Sequence, residues 1–230
     1  MHNFVSSSVF FGVFVSLGAY FVGLHIRKKT GFPLFHPLLI AICLVIALLS
    51  VLKIDYSAYN QGAKFLSSLL TPATICLAVP LYEQLDLLRR HKKAILLGIL
   101  SGVITSLVCV LVLCLLFRLD HTDYVTLLPK SITSAIGMDV SKMLGGYVPV
   151  TVAVIIITGI FGNIIAKTVF RIFSITDPVA RGIALGTSSH AIGTTRAMEM
   201  GKIEGAMSGL SIAVAGLLTV VGAWLFSFLL

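Results

Sequence analysis

Two polar stretches interrupt an otherwise apolar chain, and their side chains are of the types that bind small anions. Residues 127–146 read LLPKSITSAIGMDVSKMLGG, and residues 185–201 read LGTSSHAIGTTRAMEMG. Hydroxyl groups donate hydrogen bonds to an anion, and lysine or arginine neutralises its charge. We therefore predict a site for a small anionic organic acid. The candidate substrate-binding residues are Lys130, Ser131, Thr133, Ser188, Ser189, His190, Thr194 and Arg196.

Three ionisable residues in these stretches are candidates for carrying a proton together with the substrate: His190, Asp139 and Glu199. Histidine changes charge near neutral pH, and a buried carboxyl is protonated more easily than an exposed one. A structural role is the alternative for each. His190 would then only hydrogen-bond across helices. Glu199 would pair with Arg196, three residues away on one helical face, and Asp139 would pair in the same way with Lys142. Because an ionisable group within a membrane segment is costly, the functional interpretation stands beside the structural one.

Pro129 and Lys130 suggest how the first stretch would present an anion-binding end. Proline loses nothing at the first turn of a helix, where its missing N–H has no partner. The amides that follow it, together with Ser131 and Thr133, would then face the anion. The alternative is that the lysine only extends to the membrane surface.

The composition requires a membrane around these polar stretches. Hydrophobic residues make up 57% of the 230 residues and charged residues 11%, with a mean hydropathy of +1.04. Several apolar runs of roughly twenty residues are long enough to cross a bilayer as helices. We predict one all-α, polytopic transmembrane domain over residues 1–230. The predicted spans cover residues 4–24, 37–52, 94–117, 148–170 and 206–230.

Three further segments, residues 65–87, 127–146 and 185–201, are predicted to be broken or re-entrant helices. Proline removes a backbone donor, and glycine lets the chain break or approach another backbone closely. Such irregular backbone is tolerated at membrane depth only where protein surrounds it or where it lines a cavity. The candidate helix-breaking residues are Pro72, Pro80, Pro129, Gly137, Gly186 and Gly193.

The three segments also resemble one another, which predicts an internal inverted repeat. A shift of 57 residues aligns Pro72 with Pro129, and a shift of 56 places residues 135–137 on residues 191–193. In each case a polar, broken element precedes an apolar span, as in internally repeated transporters.

The basic loops predict the orientation. HIRKK at residues 25–29 and LLRRHKK at residues 87–93 are expected in the cytoplasm, which places the N-terminus outside. If residues 127–146 are re-entrant, Lys167, Arg171 and Arg181 also fall inside. The two polar stretches would then enter from opposite sides and meet near the midplane. We expect six or seven full spans in addition to the broken elements, and eight if both stretches cross fully.

Several other classes of protein find little support. The net charge of +8 comes from short clusters rather than from a continuous stripe, which argues against nucleic acid. The four cysteines lack paired spacing, so no metal or cofactor is expected. We predict that they are small buried hydrophobic residues. Ser188, Ser189 and His190 adjoin, yet adjacent helical residues point in different directions and no nucleophile elbow accompanies them. We expect no enzyme.

The chain resembles the LrgB/CidB family of bacterial membrane proteins over essentially its whole length, and most specifically in its second half. The resemblance is carried by PKSITSAIGMDVSKMLGG, then ITGIFGNII, then ITDPVARGIALGTSSHAIGTTRAMEMGKIEGAMSGL. It implies a multi-pass protein of the bacterial cytoplasmic membrane and a smaller, holin-like LrgA/CidA partner. The family is associated with control of murein hydrolase activity and cell lysis, and its members and relatives with transport of pyruvate, glycolate or glycerate.

Two functions follow as expectations. The first is a secondary transporter of small monocarboxylates of the pyruvate, lactate, glycolate or glycerate class, coupled to protons. The alternative is a holin- or antiholin-type regulator of murein hydrolase activity and lysis that acts with the smaller partner. Small residues such as Gly209 and Gly216 suit close helix packing, either within one chain or in a homo-oligomer.

Overall fold

The structure, a computed structural model, describes residues 10–30, 35–69 and 85–230, together with positions 72, 75, 76 and 82. Every regular element in these residues is a helix, which confirms the all-α class. Two compact units make up the chain, residues 1–76 and residues 77–230.

In the first unit, α1 (Phe11–Thr30) packs against both α2 (Pro37–Val51) and α3 (Tyr56–Ser68). Glycine makes both contacts possible: a Cβ at Gly12 would overlap the carbonyl of Tyr59, and one at Gly23 would come 2.5 Å from the carbonyl of Pro37. The hydroxyl groups of Ser16 and Tyr59 lie 2.7 Å apart and link α1 to α3.

The second unit carries both polar stretches. Its helices are α4 (Leu85–Phe117), α5 (His121–Leu127), α6 (Ser134–Leu144), α7 (Val148–Ile172), α8 (Pro178–Met200) and α9 (Lys202–Phe226). Among the described residues, three stretches are long and apolar enough to cross a membrane: Lys92–Phe117, Val148–Ile172 and Lys202–Leu229. The predicted spans at 94–117, 148–170 and 206–230 coincide with them. The chain is a membrane protein.

The first polar stretch forms a helical hairpin from α5 and α6. Thr151 of α7 ties the two arms together, because its hydroxyl contacts the carbonyl of Thr126 on α5 at 2.9 Å and Ser141 Oγ on α6 at 2.7 Å. Deeper along α7, Ile155 packs against Gly137 of α6. The chain reverses at residues 128–133, where Ser131 reaches Ser106 in α4. The stretch therefore turns back on itself, which is the geometry that a re-entrant element requires.

The second polar stretch, within α8, is also a hairpin. At His190 the backbone leaves helical geometry, with φ 42° and ψ −134°. In the first arm, Gly182 packs beside Glu204 and Gly186 beside Ser208 of α9. In the second arm, Thr194 contacts the same Ser208, and Met198 returns to Gly205. The two arms thus run in opposite directions along α9, and the chain leaves at the end where it entered.

The two hairpins enter from opposite ends of α4. α5 begins just beyond the end of α4, whereas the first arm of α8 runs beside its beginning, with Ile183 against Gly98 and Thr187 against Gly102. The tip of the first hairpin touches Ser106, one helical turn beyond Gly102. The two broken elements therefore meet at the middle of a membrane helix, as the sequence predicts.

Basic residues gather at the end where α8 enters. Arg181 lies over the ring of Phe170, near the end of α7, with 5.8 Å from its guanidinium carbon to the ring centroid. Gly182 beside Glu204 brings the start of α9 to the same end. Lys92, Lys93, Arg171, Arg181 and Lys202 therefore share one end of this unit, which agrees with a re-entrant α8 and the positive-inside rule.

The element lengths support the predicted repeat. The offset of 56 residues carries Ser134, the first residue of α6, onto His190, where the second arm of α8 begins. The helices that follow, α7 and α9, each contain 25 residues. Since the two hairpins enter from opposite ends, the related halves are inverted relative to each other.

The breaks in the chain differ from the predicted residues in three places. Pro129 lies in the reversing turn, as predicted. Gly137, however, lies inside a continuous α6, because the preceding turn already reverses the chain. Gly186 and Gly193 are helical too, and the break falls between them at His190. Their lack of a side chain serves close packing instead. Pro80 and the residues next to Pro72 lie outside the described residues.

Candidate functional site

A cavity of about 770 Å³ lies in the second unit, between α4, α7, the first arm of α8 and the tip of the first hairpin. This volume falls in the range of small-molecule sites. Its walls are apolar with a series of hydroxyl groups, a pattern that suits a small polar ligand. The polar residues that line it are Ser101, Thr105, Ser106, Lys130, Ser131, Thr158, Asp177, Thr187, Ser188 and Ser189.

The inner end of the cavity holds its basic side chain. Ser131 Oγ accepts hydrogen bonds from Lys130 Nζ at 3.0 Å and from Ser106 Oγ at 2.9 Å. Ser131 is buried and Lys130 is half-buried. The turn after α5 places the lysine and serine here, whereas the middle of α4 supplies Ser106. We call these three residues the donor corner.

The outer end of the cavity holds an acidic side chain. Asp177 is exposed and caps the first arm of α8 by accepting a hydrogen bond from the backbone N–H of Ala180 at 2.8 Å. Ile183, six residues later, already packs against Gly98, so Asp177 lies toward the start of α4. Among the described lining residues, positive charge therefore lies at the inner end and negative charge at the outer end.

Two predicted residues of the second hairpin also line the cavity. Ser188 Oγ donates to the carbonyl of Ala184 at 2.6 Å and lies 3.1 Å from Ser189 Oγ. Ser189 packs directly on Gly162 of α7, which has no side chain to keep it away. The structure thus brings four predicted residues to one cavity: Lys130, Ser131, Ser188 and Ser189.

His190 and Thr194 lie elsewhere, in contacts between helices. His190 is 3% exposed, and its Nε2 lies 3.0 Å from the carbonyl of Ile155 in α7. Its ring packs over Gly159. Thr194 Oγ1 bonds to the carbonyl of His190 at 3.0 Å and lies 2.7 Å from Ser208 Oγ. Both residues hold the second hairpin in place, which is the structural alternative considered for His190.

The remaining predicted residues also lie away from the cavity lining. Arg196 pairs with Glu199 at 2.6 Å, the alternative foreseen for that pair. Asp139 is exposed on α6, and Thr133 is the N-cap residue that immediately precedes that helix. Lys130, His190 and Arg196 therefore do not converge on one cavity.

Several residues of this region were not predicted. Ser106 and Thr158 sit inside long apolar spans, where a single hydroxyl residue gives little signal. Asn163 is buried in α7 and donates from Nδ2 to the carbonyl of Ile192 at 2.8 Å, just past the tip of the second hairpin. Glu204 is the only buried acidic residue in the described part of the chain and folds over Gly201 at the start of α9. Its position within a membrane protein was the available signal.

Within the described residues, no group of histidine, cysteine and acidic side chains is arranged to hold a metal ion. Their four cysteines are free. Cys114 alone is buried, whereas Cys43, Cys76 and Cys109 are exposed, so the prediction of buried cysteines is correct for one of them.

Comparison with known proteins identifies the family. The model of the LrgB-like family matches residues 16–228. The Antiholin-like protein LrgB of Bacillus subtilis (strain 168) is 37% identical over 215 residues, which cover 93% of each chain. The proteins of that name from Bacillus mycoides (strain KBAB4) and Bacillus cereus (strain B4264) are each 37% identical over 213 residues, 92% of this chain and 93% of theirs. No solved structure matches. The match spans both hairpins and the cavity between them, and the chain belongs to the LrgB-like family.

Proposed function

We propose that this protein is an antiholin-type regulator of murein hydrolase activity and cell lysis in the bacterial cytoplasmic membrane. The observation that carries the proposal is its 37% identity to proteins named Antiholin-like protein LrgB, over almost the whole of both chains. In this proposal the protein, either as a monomer or as a homo-oligomer, acts together with a small LrgA/CidA-like membrane protein. No chemical reaction is required of it.

A second function, carriage of small monocarboxylates, is favoured by a separate observation. Two opposed hairpins meet beside a cavity with hydroxyl groups and one ammonium group. Opposed broken helices around a central site are the arrangement used by secondary transporters. A simple pore needs no such costly polar corner at the middle of its helices. Pyruvate, lactate, glycolate and glycerate carry one carboxylate each and match the single cation.

Coupling to protons would require a group that gains and loses a proton during transport. Asp139 and Glu199 are exposed, whereas His190 and Glu204 are buried beside the second hairpin. We propose His190 and Glu204 as the candidates for coupling transport to protons.

One pair of measurements tests the two functions. In cells that lack the gene, murein hydrolase activity and the rate of detergent-induced lysis should both rise if the protein is an antiholin-type regulator. In proteoliposomes, the purified protein should take up labelled pyruvate with saturation and should respond to a proton gradient if it is a carrier.

The Lys130→Gln variant separates the two outcomes. If the protein is a regulator that does not use the cavity, expression of this variant in the deletion strain should restore the normal rate of lysis. If the protein is a carrier, the variant should lose uptake. Unchanged lysis in the deletion strain would overturn the first proposal, and uptake that does not saturate would overturn the second.

A further inference from the structure

The hydrogen bonds within the donor corner leave protons of Ser131 and Lys130 available to a ligand. A serine hydroxyl has one proton and two acceptor lone pairs. Both acceptor positions of Ser131 are used, one by Lys130 Nζ at 3.0 Å and one by Ser106 Oγ at 2.9 Å. Its own proton therefore remains available. The lysine ammonium has three protons and uses one of them on Ser131.

Three free protons and one positive charge at the inner end of a cavity form a site for an anion. A carboxylate accepts hydrogen bonds at both oxygens and donates none, so its two oxygens match the ammonium and the hydroxyl. A neutral ligand would leave the charge of Lys130 uncompensated. The corner thus favours a carboxylate over its amide.

The remaining charges restrict the ligand to one carboxylate. Lys130 is the only basic side chain that lines the cavity among the described residues, and Asp177 lies at the outer end. A second carboxylate on the ligand would enter without a cation and would approach that aspartate. Burying an unpaired charge is strongly unfavourable.

Resting on the proposed carrier function, we propose that the donor corner binds the carboxylate of a monocarboxylate, and that Ser106 is its positioning residue. Ser106 fills one acceptor position of Ser131, so the serine proton is directed toward the ligand. Ser106 acts through Ser131 and lies on α4, while Ser131 lies at the tip of the first hairpin. Ligand affinity is therefore linked to the position of that tip against α4.

Calorimetry on the purified full-length protein tests the inference, with pyruvate, its neutral amide and malonate as probes. Pyruvate should bind more tightly than both others. Lys130→Gln should weaken pyruvate binding on the order of 30-fold and leave amide binding unchanged, since a bond to a charged group is lost. Ser131→Ala should weaken it about 10-fold and Ser106→Ala about threefold.

Two variants serve as controls. Ser211→Ala changes the same residue type in another helix of the same unit, α9, where Ser211 is buried, donates to the carbonyl of Met207 at 2.7 Å and does not line the cavity. It should bind pyruvate as the unchanged protein does. Ser106→Thr keeps the hydroxyl group and should restore the affinity that Ser106→Ala loses. Melting temperatures of all variants establish that they are folded.

The outcomes separate this inference from the carrier function. If the unchanged protein binds pyruvate but the Ser131→Ala and Lys130→Gln variants bind it equally well, the donor corner is not the site, and the carrier function stands. If Ser211→Ala and Ser106→Ala lose the same affinity, Ser106 is not a positioning residue. If the unchanged protein binds no monocarboxylate, the carrier function and the corner fail together.

Discussion

The two hairpins occupy related positions in the repeat and reverse the chain by different means. The first uses six residues, 128–133, and its open turn carries Lys130 and Ser131 to the cavity. The second reverses at the single residue His190, whose side chain is buried between helices. A wide turn leaves side chains free to face a ligand. A tight one needs its side chains to hold the backbone.

The same helix, α7, supports both hairpins, and this support shows the difference again. Near the tip of the first hairpin, beyond the bonds that Thr151 makes to its two arms, α7 offers the flexible side chain of Ile155, which packs on Gly137. Against the second, it offers a groove at Gly159 and Gly162 and a hydrogen bond from Asn163. On α7, the second tip is therefore fixed by close backbone packing and polar bonds, whereas the first tip is held by a side chain that can adjust.

The largest effect is expected from filling the groove under the second tip. In the Gly162→Leu variant, the new Cβ would overlap Ser189 Oγ and come within 3.0 Å of Ser189 Cβ. Overpacking of this kind costs about 3 kcal/mol of unfolding free energy. Thermal unfolding followed by circular dichroism in detergent should show a melting temperature lower by roughly 6 to 12 °C.

Gly18→Leu is the matched control, because nothing lies within 4 Å of a Cβ at Gly18 in α1. It should melt at or slightly above the temperature of the unchanged protein, since leucine is a better helix former than glycine. Equal losses in both variants would contradict a special role for the groove.

Removal of the histidine side chain at the tip should lower the free energy of unfolding by less than Gly162→Leu does. His190→Ala deletes the contact to the carbonyl of Ile155 and retains a backbone with φ 42°, so the unfolding free energy should fall by about 2 kcal/mol. His190→Gly deletes the same contact but relieves the backbone strain, which is worth about 1 kcal/mol or more. Glycine should therefore destabilise less than alanine at this position. The reverse order in the same unfolding measurement would show that the backbone at His190 is not strained.

The side-chain amide of Asn163, which caps the second hairpin, should contribute about 1 kcal/mol to the free energy of unfolding. Asn163→Leu would remove the 2.8 Å bond that Asn163 donates to the half-buried carbonyl of Ile192 and would leave that carbonyl the 2.7 Å bond from Thr195 Oγ1. Amide hydrogen exchange in residues 190–194 should accelerate by roughly fivefold, while residues 128–133 of the first hairpin keep their rates. Faster exchange in both hairpins would mean that they open together.

The smallest effect is expected in the first hairpin. In Gly137→Ala, the one atom closer than 3.0 Å to the new Cβ is the terminal Cδ1 of Ile155, which can rotate away, and the carbonyl of Pro129 lies at 3.5 Å. Helix propensity gains up to about 1 kcal/mol, and the adjustment of Ile155 offsets it, so the melting temperature should change by less than about 2 °C. A loss as large as that of Gly162→Leu would show that the first tip is packed as rigidly as the second.

The sequence predicts the hairpins because their physical cause is local. Polar residues together with proline and glycine, placed between long apolar runs, do not suit a lipid-facing helix, and both stretches turn back as expected. The exact reversal point of the second could not be predicted. Residues other than glycine rarely adopt φ above zero, so Gly186 and Gly193 are better local candidates than His190. Packing from α7 overrides that preference, and such packing is not visible in the local pattern.

The candidate site was predictable only within the two polar stretches, which supply Lys130, Ser131, Ser188 and Ser189 to the cavity. Lys130 and Ser131 stand out because polar groups are rare in an apolar chain. Ser106 and Thr158 do not, because a single hydroxyl residue in a span can equally well bond to its own helix. Arg196 and Glu199 lie three apart, and that spacing predicts their ion pair as readily as a substrate contact.

The reversal at His190 also decides whether the number of times that the chain crosses the membrane is even or odd. Because α8 leaves at the end where it entered, it adds no crossing, and α9 then runs from that end to the opposite one. A straight α8 of the same 23 residues would add one crossing and would deliver Leu230 to the other side of the membrane. One backbone torsion in the interior thus determines which compartment receives the C-terminus, and a reporter fused there would read the folding of the tip.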